Sequence, residues 1–476
     1  KKVQKIAATM VQGVLIEGGC LVDTNPANGE VIARVPCSTL AEVAVAVARA
    51  KAAQPAWAAT PLADRIAILK RGCALLAENK DELVSLAVKE MGKVRAEAAE
   101  EVDGAANKID WLDLVQQANE AQRVSNGLIV REAHGVVAVL SPWNFPVDEP
   151  LLLALPALAA GNCVCLKPSE VVPLCGAAVA AALQAVLPPG VLELLQGDGA
   201  VGAALVAGDV HMCAMTGSSA VGKKIMAGCA PSLKRLVLEL GGKDPMVVFA
   251  DADLDHAAND AVTFSLFNTG QVCCSVERVY VAEAVRGAFE EKCAALVQTY
   301  VAGDGFDAGS KIGPMVSATQ RDLVAAQVAD AVSRGARVVA QGAVPAGAAG
   351  NWFPATLVCG AAQDMPIQRV ETFGPVVVVA SFDGTEAEGV RLANDTEYGL
   401  AAYVYTTDMQ KAQRVALGIK AGQVGINNWS LSCAPAECPW VGHKNSGMGY
   451  HSGADGWRQF SNPKSLIFQT KEDMPL

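Results

Sequence analysis

Five short apolar runs, separated by stretches of helical character, constrain the fold of this chain more than any other feature. The runs cover residues 135–140, 162–167, 191–195, 211–215 and 236–240. Runs this short and this continuously apolar are typical of strands buried on both faces of a parallel sheet. Because strands alternate with helices, we predict an α/β protein with a doubly wound, Rossmann-like sheet. Its ligand crevice should lie at the carboxyl ends of the strands.

The flanking segments extend this α/β pattern in both directions. Thr39 and Glu42 carry the signature of a capping box, which predicts a helix that starts there. Residues 65–90 and 94–120 have helical periodicity, with a predicted break near Asn79. A second block is predicted to follow the first, with strands at 278–281, 375–379 and 422–426.

Composition excludes several classes of protein. The chain has 476 residues, 51% of them hydrophobic, which suffices for a large core and about three structural units. A net charge of -11 argues against nucleic acid and against anionic membranes as partners. The 14 cysteines are scattered without a zinc-binding spacing, so we predict no metal site and a reduced, intracellular setting.

No membrane insertion is predicted, because the longest apolar stretch is interrupted by Pro156 and Asn162. The chain begins with Lys1 and shows no signal-peptide pattern. We expect a soluble protein of the cytoplasm, or of an organelle if a targeting segment has been removed.

Two glycine-rich segments resemble phosphate loops. Residues 197–202 fit GxGxxG, but no acid for a ribose lies between Asp209 and Glu239, so a simple glycine-rich turn is an equally good interpretation. Residues 217–223 read GxxxxGK, but Lys224 stands where a magnesium-binding Ser or Thr should follow. An NTPase is therefore disfavoured, although helix-start amides there could face a phosphate.

Four separated motifs suit one mechanism. They are Ser-Pro-Trp-Asn-Phe-Pro at 141–146, Leu-Glu-Leu-Gly-Gly-Lys at 238–243, Asn-Thr-Gly-Gln-Val-Cys at 268–273 and Glu-Thr-Phe-Gly-Pro at 371–375. In order and spacing the chain resembles the aldehyde dehydrogenase superfamily over nearly its whole length. The resemblance implies NAD(P)-dependent oxidation of a small aldehyde to an acid through a cysteine thiohemiacetal and thioester.

The resemblance also implies catalytic roles. Cys273 would be the nucleophile, Asn144 and the Cys273 amide would stabilise the oxyanion, and Glu239 would activate the hydrolytic water. Lys167 is placed with the catalytic as well as the cofactor residues. The plainer interpretations are a buried thiol, a turn-forming Asn and a solvated or helix-capping Glu. Glu239 disfavours a coenzyme-A acylating enzyme, and the presence of all three residues disfavours a non-catalytic relative.

The cofactor is expected to lie along the strand ends and helix starts. Lys167 and Glu170 would hold the adenosine ribose, and Glu371 the nicotinamide ribose. Because the charge of Glu170 would repel a further phosphate, NAD is preferred, with NADP as the alternative. The predicted cofactor residues are Leu140, Ser141, Pro142, Trp143, Asn144, Lys167, Ser169, Glu170, Gly199, Gly202, Thr216, Gly217, Ser218, Val221, Glu239, Leu240, Gly241, Cys273, Glu371 and Phe373.

The sequence gives fewer indications of which residues would bind the aldehyde. Asp148 and Glu149 either select a cationic aminoaldehyde or cap the start of a helix. Leu152 stands where succinic-semialdehyde relatives often carry Arg, which weakens that substrate assignment. The predicted tunnel residues are Asp148, Glu149, Leu152, Phe267, Val272, Cys274 and Trp440, with Trp429 as a further candidate wall. For Trp440, Trp429 and Phe267, core packing is an equal alternative.

Domain organisation follows from the resemblance. The cofactor-binding domain is expected to comprise 1–115 and 134–241, with 448–460 packing back on it. The catalytic domain is expected to span 242–447. Residues 116–133 and 461–476 are expected to form an oligomerisation arm, with an Asn126-Gly127 hairpin turn and a strand at 465–470, in a homodimer or homotetramer.

Overall fold

The computed structural model describes residues 9–11, 14–347, 349–429 and 434–474. Residues 1–8 of the predicted cofactor-binding domain and residues 475–476 of the predicted oligomerisation arm therefore lie outside the described residues. The described chain opens with a four-stranded antiparallel sheet that was not predicted, because its strands are short and only partly buried. Its strands are β1 Thr9–Val11, β2 Val14–Glu17, β3 Cys20–Thr24 and β4 Val31–Pro36.

Five helices follow and confirm the predicted helical stretches. They are α1 Leu40–Ala59, α2 Leu62–Glu78, α3 Lys80–Met91, α4 Arg95–Ala106 and α5 Lys108–Asn119. The capping box is present: the Thr39 hydroxyl accepts the Glu42 amide at 3.2 Å, and the Glu42 carboxylate accepts the Thr39 amide at 2.7 Å. The break falls at Asn79, as predicted.

A hairpin precedes the first large sheet. It consists of β5 Gln122–Val124 and β6 Gly127–Ala133. Val124 pairs with Gly127, so the two turn residues are Ser125 and Asn126 rather than the predicted Asn126 and Gly127. The one-residue difference arises because Ser125 itself adopts a positive φ of 37°.

The first large sheet confirms the five predicted apolar strands. Its elements in chain order are β7 Val136–Leu140, α6 Glu149–Ala159, β8 Cys163–Lys167, α7 Pro173–Gln184, β9 Leu192–Leu194, α8 Gly199–Ala207, β10 Met212–Thr216, α9 Ser219–Cys229 and β11 Arg235–Glu239. The five strands are parallel in the order β11-β10-β7-β8-β9. The order reverses direction at β7, so the sheet is doubly wound.

The second large sheet has seven strands, of which only three were predicted. Its elements are β12 Asp244–Val248, α10 Leu254–Leu266, β13 Val276–Ala282, α11 Arg286–Val297, α12 Ala318–Ser333, β14 Arg337–Gln341, β15 Thr356–Cys359, α13 Pro366–Arg369, β16 Val376–Phe382, α14 Glu386–Asn394, β17 Ala401–Tyr405, α15 Met409–Gly418 and β18 Gln423–Ile426. The strand order is β14-β15-β16-β13-β12-β17-β18, and β14 alone is antiparallel to its neighbour.

The C-terminal segment returns to the earlier elements. It contains β19 Trp440–Val441, β20 Gly447–Met448, β21 Tyr450–His451, α16 Gly453–Trp457 and β22 Ser461–Ile467. The strand β20 adds to the edge of the first sheet beside β11. The last strand, β22, pairs with β6 from Ser461 onward, so it starts four residues before the predicted 465 and ends at Ile467 rather than 470.

The cores of the two large sheets are separate. One apolar cluster joins α1–α5 and the first sheet, and it includes Trp457 and Phe460 from the C-terminal segment. The second sheet is packed by further clusters, one of which contains Val272, Cys274 and Trp429. Within the described residues, no helix combines the length and hydropathy that crossing a bilayer requires.

Candidate active site

The carboxyl ends of three adjacent strands open onto a cavity of about 860 Å³. Leu140, Lys167 and Thr216 are the last residues of β7, β8 and β10, and all three line it. Parallel strands bring their carboxyl ends to one edge of a sheet, and a crevice forms where the strand order reverses. The far end of the cavity reaches Cys273.

The structure brings the predicted cofactor residues together with one exception. All of them line this cavity except Glu239, which ends β11 behind it. Sequence reasoning missed further lining residues: Val171, Ala203, Val206, Ala207, Met215, Lys224, Ile225, Gly228, Val316, Ser317, Thr319, Gln320 and Leu323. Several of these lie three or four residues beyond Gly199 or Val221 on α8 and α9, so helical periodicity could have found them. Those from 316 to 323 precede or begin α12, and no motif marks them.

Two helix starts face the cavity. Ser218 caps α9 by accepting the Val221 amide at 3.4 Å, and Asp198 caps α8 by accepting the Ala200 amide at 3.0 Å. The amide groups of a helix start carry partial positive charge and suit a phosphate. Gly197 has φ +138°, and a Cβ there would lie 2.5 Å from the Val201 side chain. The 197–202 segment is thus a tight turn into α8 that also borders the cavity.

A buried ion pair lies at one end of the cavity. The Lys167 ammonium is 3.2 Å from Glu170 and donates to the Pro168 carbonyl at 2.8 Å. Both charged groups are almost completely buried. Each is oriented by the other, so the pair presents a fixed polar edge to a ligand in the cavity.

The other end of the cavity is built around Glu371 and Phe373. Glu371 accepts the Gly242 amide at 3.0 Å, and burial is the main factor that raises its pKa to about 8. A Cβ on Gly241 would lie 2.5 Å from a Glu371 oxygen, so glycine is required for this approach. Phe373 has φ +52° and meets the Trp143 ring edge-on at 5.3 Å.

Glu277, which sequence reasoning missed, supports this strained segment. Its carboxylate accepts the amides of Thr372 at 2.8 Å and Phe373 at 3.0 Å, and pairs with the fully buried Lys243 at 2.6 Å. No motif signals such a residue, because its partners Thr372 and Phe373 lie 95 and 96 positions away in the chain, and Lys243 lies 34 away.

The loop that carries Cys273 has an uncommon backbone. Asn268, Thr269 and Gly270 have φ values of 53°, 56° and 69°. A Cβ on Gly270 would lie 2.1 Å from the Gly374 carbonyl, so only glycine fits there. The neighbouring Cys274 thiol, and then burial, raise the pKa of Cys273 well above its usual range. The resting thiol is therefore protonated at neutral pH.

Asn144 lies against the same loop. Its side-chain amide donates to the Gln271 carbonyl at 3.1 Å, two residues before Cys273. Asn268 donates from its own side chain to the Asn144 and Gln271 carbonyls, both at 3.0 Å. Asn144 is 4% exposed, and its position is fixed by these contacts.

Glu239 ends β11 beside Thr216 and is 3% exposed. Neither carboxyl oxygen has a hydrogen-bond partner among the residues that the structure describes. Burial, followed by the charge of Glu149, raises the pKa of Glu239 well above its usual range. A carboxylate in this environment is a strong proton acceptor once it is ionised.

Further carboxyl groups cluster near Cys273 and Glu239. We call Glu97, Glu101, Asp148, Glu149 and Glu239 the acid face; none of them lines the cofactor cavity. Glu101 pairs with Lys93 at 3.0 Å and Asp148 with Lys108 at 2.8 Å. Burial raises the pKa of Glu149 to about 7, and its charge acts on both Cys273 and Glu239.

The predicted aldehyde-side residues have different environments. Asp148 is the N-cap residue of α6 and Glu149 lies in its first turn, where the helix start favours negative charge. The Asp148 carboxylate pairs with Lys108 and makes no capping hydrogen bond within the described chain. Leu152 is 8% exposed, while Val272 and Cys274 are packed in the core.

The aromatic candidates pack against other rings. Phe267 stacks on Phe145 at 6.5 Å, Trp429 on Phe264 at 4.6 Å and Trp440 on His451 at 6.3 Å. Between the candidates Trp429 and Trp440, residues 430–433 lie outside the described residues. No metal-binding group of three His, Cys, Asp or Glu occurs in the described ranges.

Comparison with known proteins is consistent across sequence and structure. Residues 17–466 match the model of the aldehyde dehydrogenase family. The chain is 38% identical to the glutarate-semialdehyde dehydrogenase of Pseudomonas putida, covering 93% of each chain. It is 37% identical to a probable NADP(+) succinate-semialdehyde dehydrogenase of Sinorhizobium fredii, covering 93% of this chain and 91% of that protein. The fold is similar to that of Escherichia coli lactaldehyde dehydrogenase, with a TM-score of 0.90, 33% identity and coverage of 97% and 99%.

Proposed function

Since this chain belongs to the aldehyde dehydrogenase family, we propose that Cys273, Asn144 and Glu239 are its nucleophile, oxyanion donor and base. The protein is an aldehyde dehydrogenase, which oxidises an aldehyde to a carboxylic acid with NAD(P) through a cysteine thioester. The observation that carries the assignment is the cofactor cavity, because its inner end meets Cys273 and Asn144 together.

In the first step the Cys273 sulfur adds to the aldehyde carbon. Its raised pKa means that the thiol proton must be lost in this step, and we propose that it passes to solvent, so that Glu239 acts only in the hydrolytic step. The carbonyl oxygen gains negative charge as the C–S bond forms. The Asn144 side chain has a second N–H beyond the one donated to Gln271, and with the Cys273 amide it would stabilise that charge.

In the second step the thiohemiacetal becomes a thioester. When bound, NAD(P) supplies the acceptor for the hydride that leaves the former aldehyde carbon. Glu371, Phe373 and Trp143 would hold the acceptor ring near Cys273, since they line that end of the cavity. Glu239 would then take a proton from water as that water attacks the thioester carbon. The C–S bond breaks, the acid is released, and the proton held by Glu239 returns to the Cys273 sulfur.

The residues present fit a dinucleotide. The cavity has helix starts for phosphates, the Lys167–Glu170 pair for a ribose, and small residues where a side chain would intrude. A Cβ on Gly217 would lie 2.6 Å from the Met215 side chain, for example. These features support a cofactor that spans the cavity from α9 to Cys273.

We propose NAD as the preferred cofactor. Glu170 places a carboxylate at the ribose end, and that charge disfavours the additional phosphate of NADP. Lys224 also lines the cavity, and the Sinorhizobium fredii relative is named for NADP(+). We therefore expect NADP to be used as well, but with a lower kcat/KM than NAD.

For the substrate, we propose an uncharged or cationic aldehyde rather than a dicarboxylic semialdehyde. The two curated relatives described above are named for semialdehydes. Here Lys93 and Lys108 are already paired with Glu101 and Asp148, and Leu152 offers no charge. Neither lysine is therefore available to a substrate carboxylate.

We also propose a homodimer or homotetramer assembled through the arm formed by β5, β6 and β22. Ile467 is 80% exposed and Leu466 is 39% exposed at the end of β22. A second copy could extend this sheet and cover both side chains. Light scattering at working concentration should show a dimer or tetramer, and a monomer would contradict the proposal.

The catalytic assignment is tested by Cys273→Ala, assayed by NAD(P) reduction with a panel of uncharged, cationic and anionic aldehydes. Cys438→Ala is the control, because Cys438 is exposed. We expect Cys273→Ala to lose at least about 10⁴-fold in kcat and Cys438→Ala to retain full activity. Full activity of Cys273→Ala would overturn the assignment, and highest kcat/KM for semialdehydes would overturn the substrate proposal.

A further inference from the structure

One helix contacts both loops that the proposed mechanism uses. Glu97 and Glu101 are four residues apart on α4 and so share a face. Glu97 accepts the backbone amide of Asn268 at 3.1 Å. Glu101 accepts the amides of Val147 at 2.8 Å and Asp148 at 3.2 Å, just beyond Asn144.

The Asn268 backbone needs such support. Two consecutive non-glycine residues, Asn268 and Thr269, have left-handed φ values, a conformation that persists in such residues only when the surroundings impose it. The Thr269 hydroxyl accepts the Gly313 amide at 3.1 Å, and Gln271 accepts the Val316 amide at 3.0 Å. The Glu97 contact is the one that fixes the Asn268 amide itself.

Asn268 in turn connects the two loops. Its side chain donates to the carbonyl of Asn144 and to the carbonyl of Gln271, both at 3.0 Å. The Asn144 side chain donates to that same Gln271 carbonyl at 3.1 Å. A change in the Asn268 backbone would therefore alter the separation of the Asn144 amide from the Cys273 loop.

We propose that Glu97 and Asn268 are positioning residues for the oxidation. Glu97 holds Asn268 in its left-handed conformation, and Asn268 sets the distance between the oxyanion donor Asn144 and the sulfur of Cys273. This inference rests on the proposed roles of Asn144 and Cys273. Neither Glu97 nor Asn268 lines the cofactor cavity, so cofactor binding should be independent of both.

The groups around Glu97 are consistent with a positional role. Its second oxygen is shielded from solvent and has no hydrogen-bond partner among the described residues. Burial raises the pKa of Glu97 to about 7, whereas the nearby charge of Lys93 lowers it. Lys93 itself lies 3.8 Å from the centre of the Phe145 ring and pairs with Glu101. Glutamine at position 97 would keep the acceptor that Asn268 uses, whichever protonation state Glu97 adopts.

The experiment compares Glu97→Ala, Glu97→Gln and Asn268→Asp with the control Glu100→Ala, whose side chain is exposed on the same helix. Measured are kcat, KM for NAD(P), the rate at which iodoacetamide alkylates Cys273, and the melting temperature. We expect Glu97→Ala and Asn268→Asp to lower kcat by roughly 100-fold and to change the alkylation rate, with KM for NAD(P) within about twofold. Asn268→Asp keeps the side-chain shape but cannot donate to the two carbonyls.

Glu97→Gln should retain kcat within about threefold and Glu100→Ala should match the wild type. If Glu97→Ala does not fold, Asn268→Asp and Glu97→Gln still decide the question. A lower melting temperature with unchanged kcat and alkylation rate in Glu97→Ala or Asn268→Asp would overturn the inference. Failure of the proposed function is distinguishable, because the wild type would then stay active after Cys273 had been alkylated.

Discussion

The cofactor cavity and the acid face differ in how they hold charge. The cavity is lined by Gly, Ala, Ser and Thr together with larger apolar residues, and the charges of its Lys167–Glu170 pair balance each other. The acid face contains five carboxyl groups for two lysines, and the oxygens of Glu239 have no partner in the described part of the chain. The cavity therefore provides a preformed shape for a ligand. Within the acid face, the charge of Glu149 raises the pKa of both Glu239 and Cys273.

Asn144 lies at the boundary of the two regions, since it lines the cavity and is held by Asn268. Asn144→Ala should lower kcat by roughly 100- to 1000-fold, because one oxyanion donor is lost. KM for NAD(P) should change little. Steady-state kinetics check this, with circular dichroism as the folding control, and a kcat within threefold of the wild type would place the oxyanion site elsewhere.

Within the described residues, Lys93 and Lys108 are already paired, so an added cation near Glu149 tests the substrate proposal. Leu152 lies three residues after Glu149 on α6. Leu152→Arg should raise kcat/KM for succinate semialdehyde relative to butanal by roughly tenfold, since a charged hydrogen bond to the substrate becomes available. Leu152→Met is the size control. An unchanged ratio would mean that Leu152 does not face the aldehyde.

Glu170 tests the charge at the ribose end of the cavity. Glu170→Gln should raise the ratio of kcat/KM for NADP over NAD by about tenfold, because a like charge near the additional phosphate is removed. Glu193→Gln serves as control, since Glu193 pairs with Arg49 away from the cavity. An unchanged ratio would show that Glu170 does not determine the choice between NAD and NADP.

The effect of Glu149 on the base Glu239 can be measured through the pH dependence of kcat. The charge of Glu149 raises the pKa of Glu239, so Glu149→Gln should lower that pKa and move the acid limb of the kcat profile to lower pH by up to about one unit. A profile that is unchanged, or that moves to higher pH, would show that Glu149 does not act on the base.

Glu149 also affects stability with a definite sign. Its pKa is raised from 4.5 to about 7 in the folded protein, so the folded state binds the proton more tightly than the unfolded state. That contribution to stability is complete below about pH 4.5 and is lost as the pH rises through 7. The melting temperature of Glu149→Gln relative to the wild type should therefore increase between pH 5 and pH 8, by about 2 °C. A difference that stays constant with pH would contradict this.

The cofactor side could be predicted from sequence for a physical reason. Its residues stand at strand ends and helix starts, so contiguous motifs such as 141–146 report them directly. Strands buried on both faces leave a strong apolar signal, which is why β7, β8, β10 and β11 were found. β14, which is largely exposed and antiparallel, and the four-residue β15 gave too little signal.

The acid face could be predicted only in part. Glu239 belongs to a motif and Glu149 follows one, but Glu101 and Lys108 lie in helices with ordinary amphipathic patterns, and Lys93 lies between α3 and α4. Their pairing depends on how α4 and α5 pack against the loop at 144–148, which no local sequence pattern encodes. The same holds for Glu277, whose partners become neighbours only when the second sheet forms.

The central claim, that Cys273 forms a thioester that Glu239 then hydrolyses, is tested most directly by trapping the intermediate. Glu239→Gln is mixed with aldehyde and NAD(P), and both NAD(P)H and the intact protein mass are followed. We predict a burst of one NAD(P)H per site, turnover slowed by roughly 10³-fold, and the acyl group on the Cys273 peptide. Turnover at the wild-type rate, or an acyl group on another residue, would contradict the account.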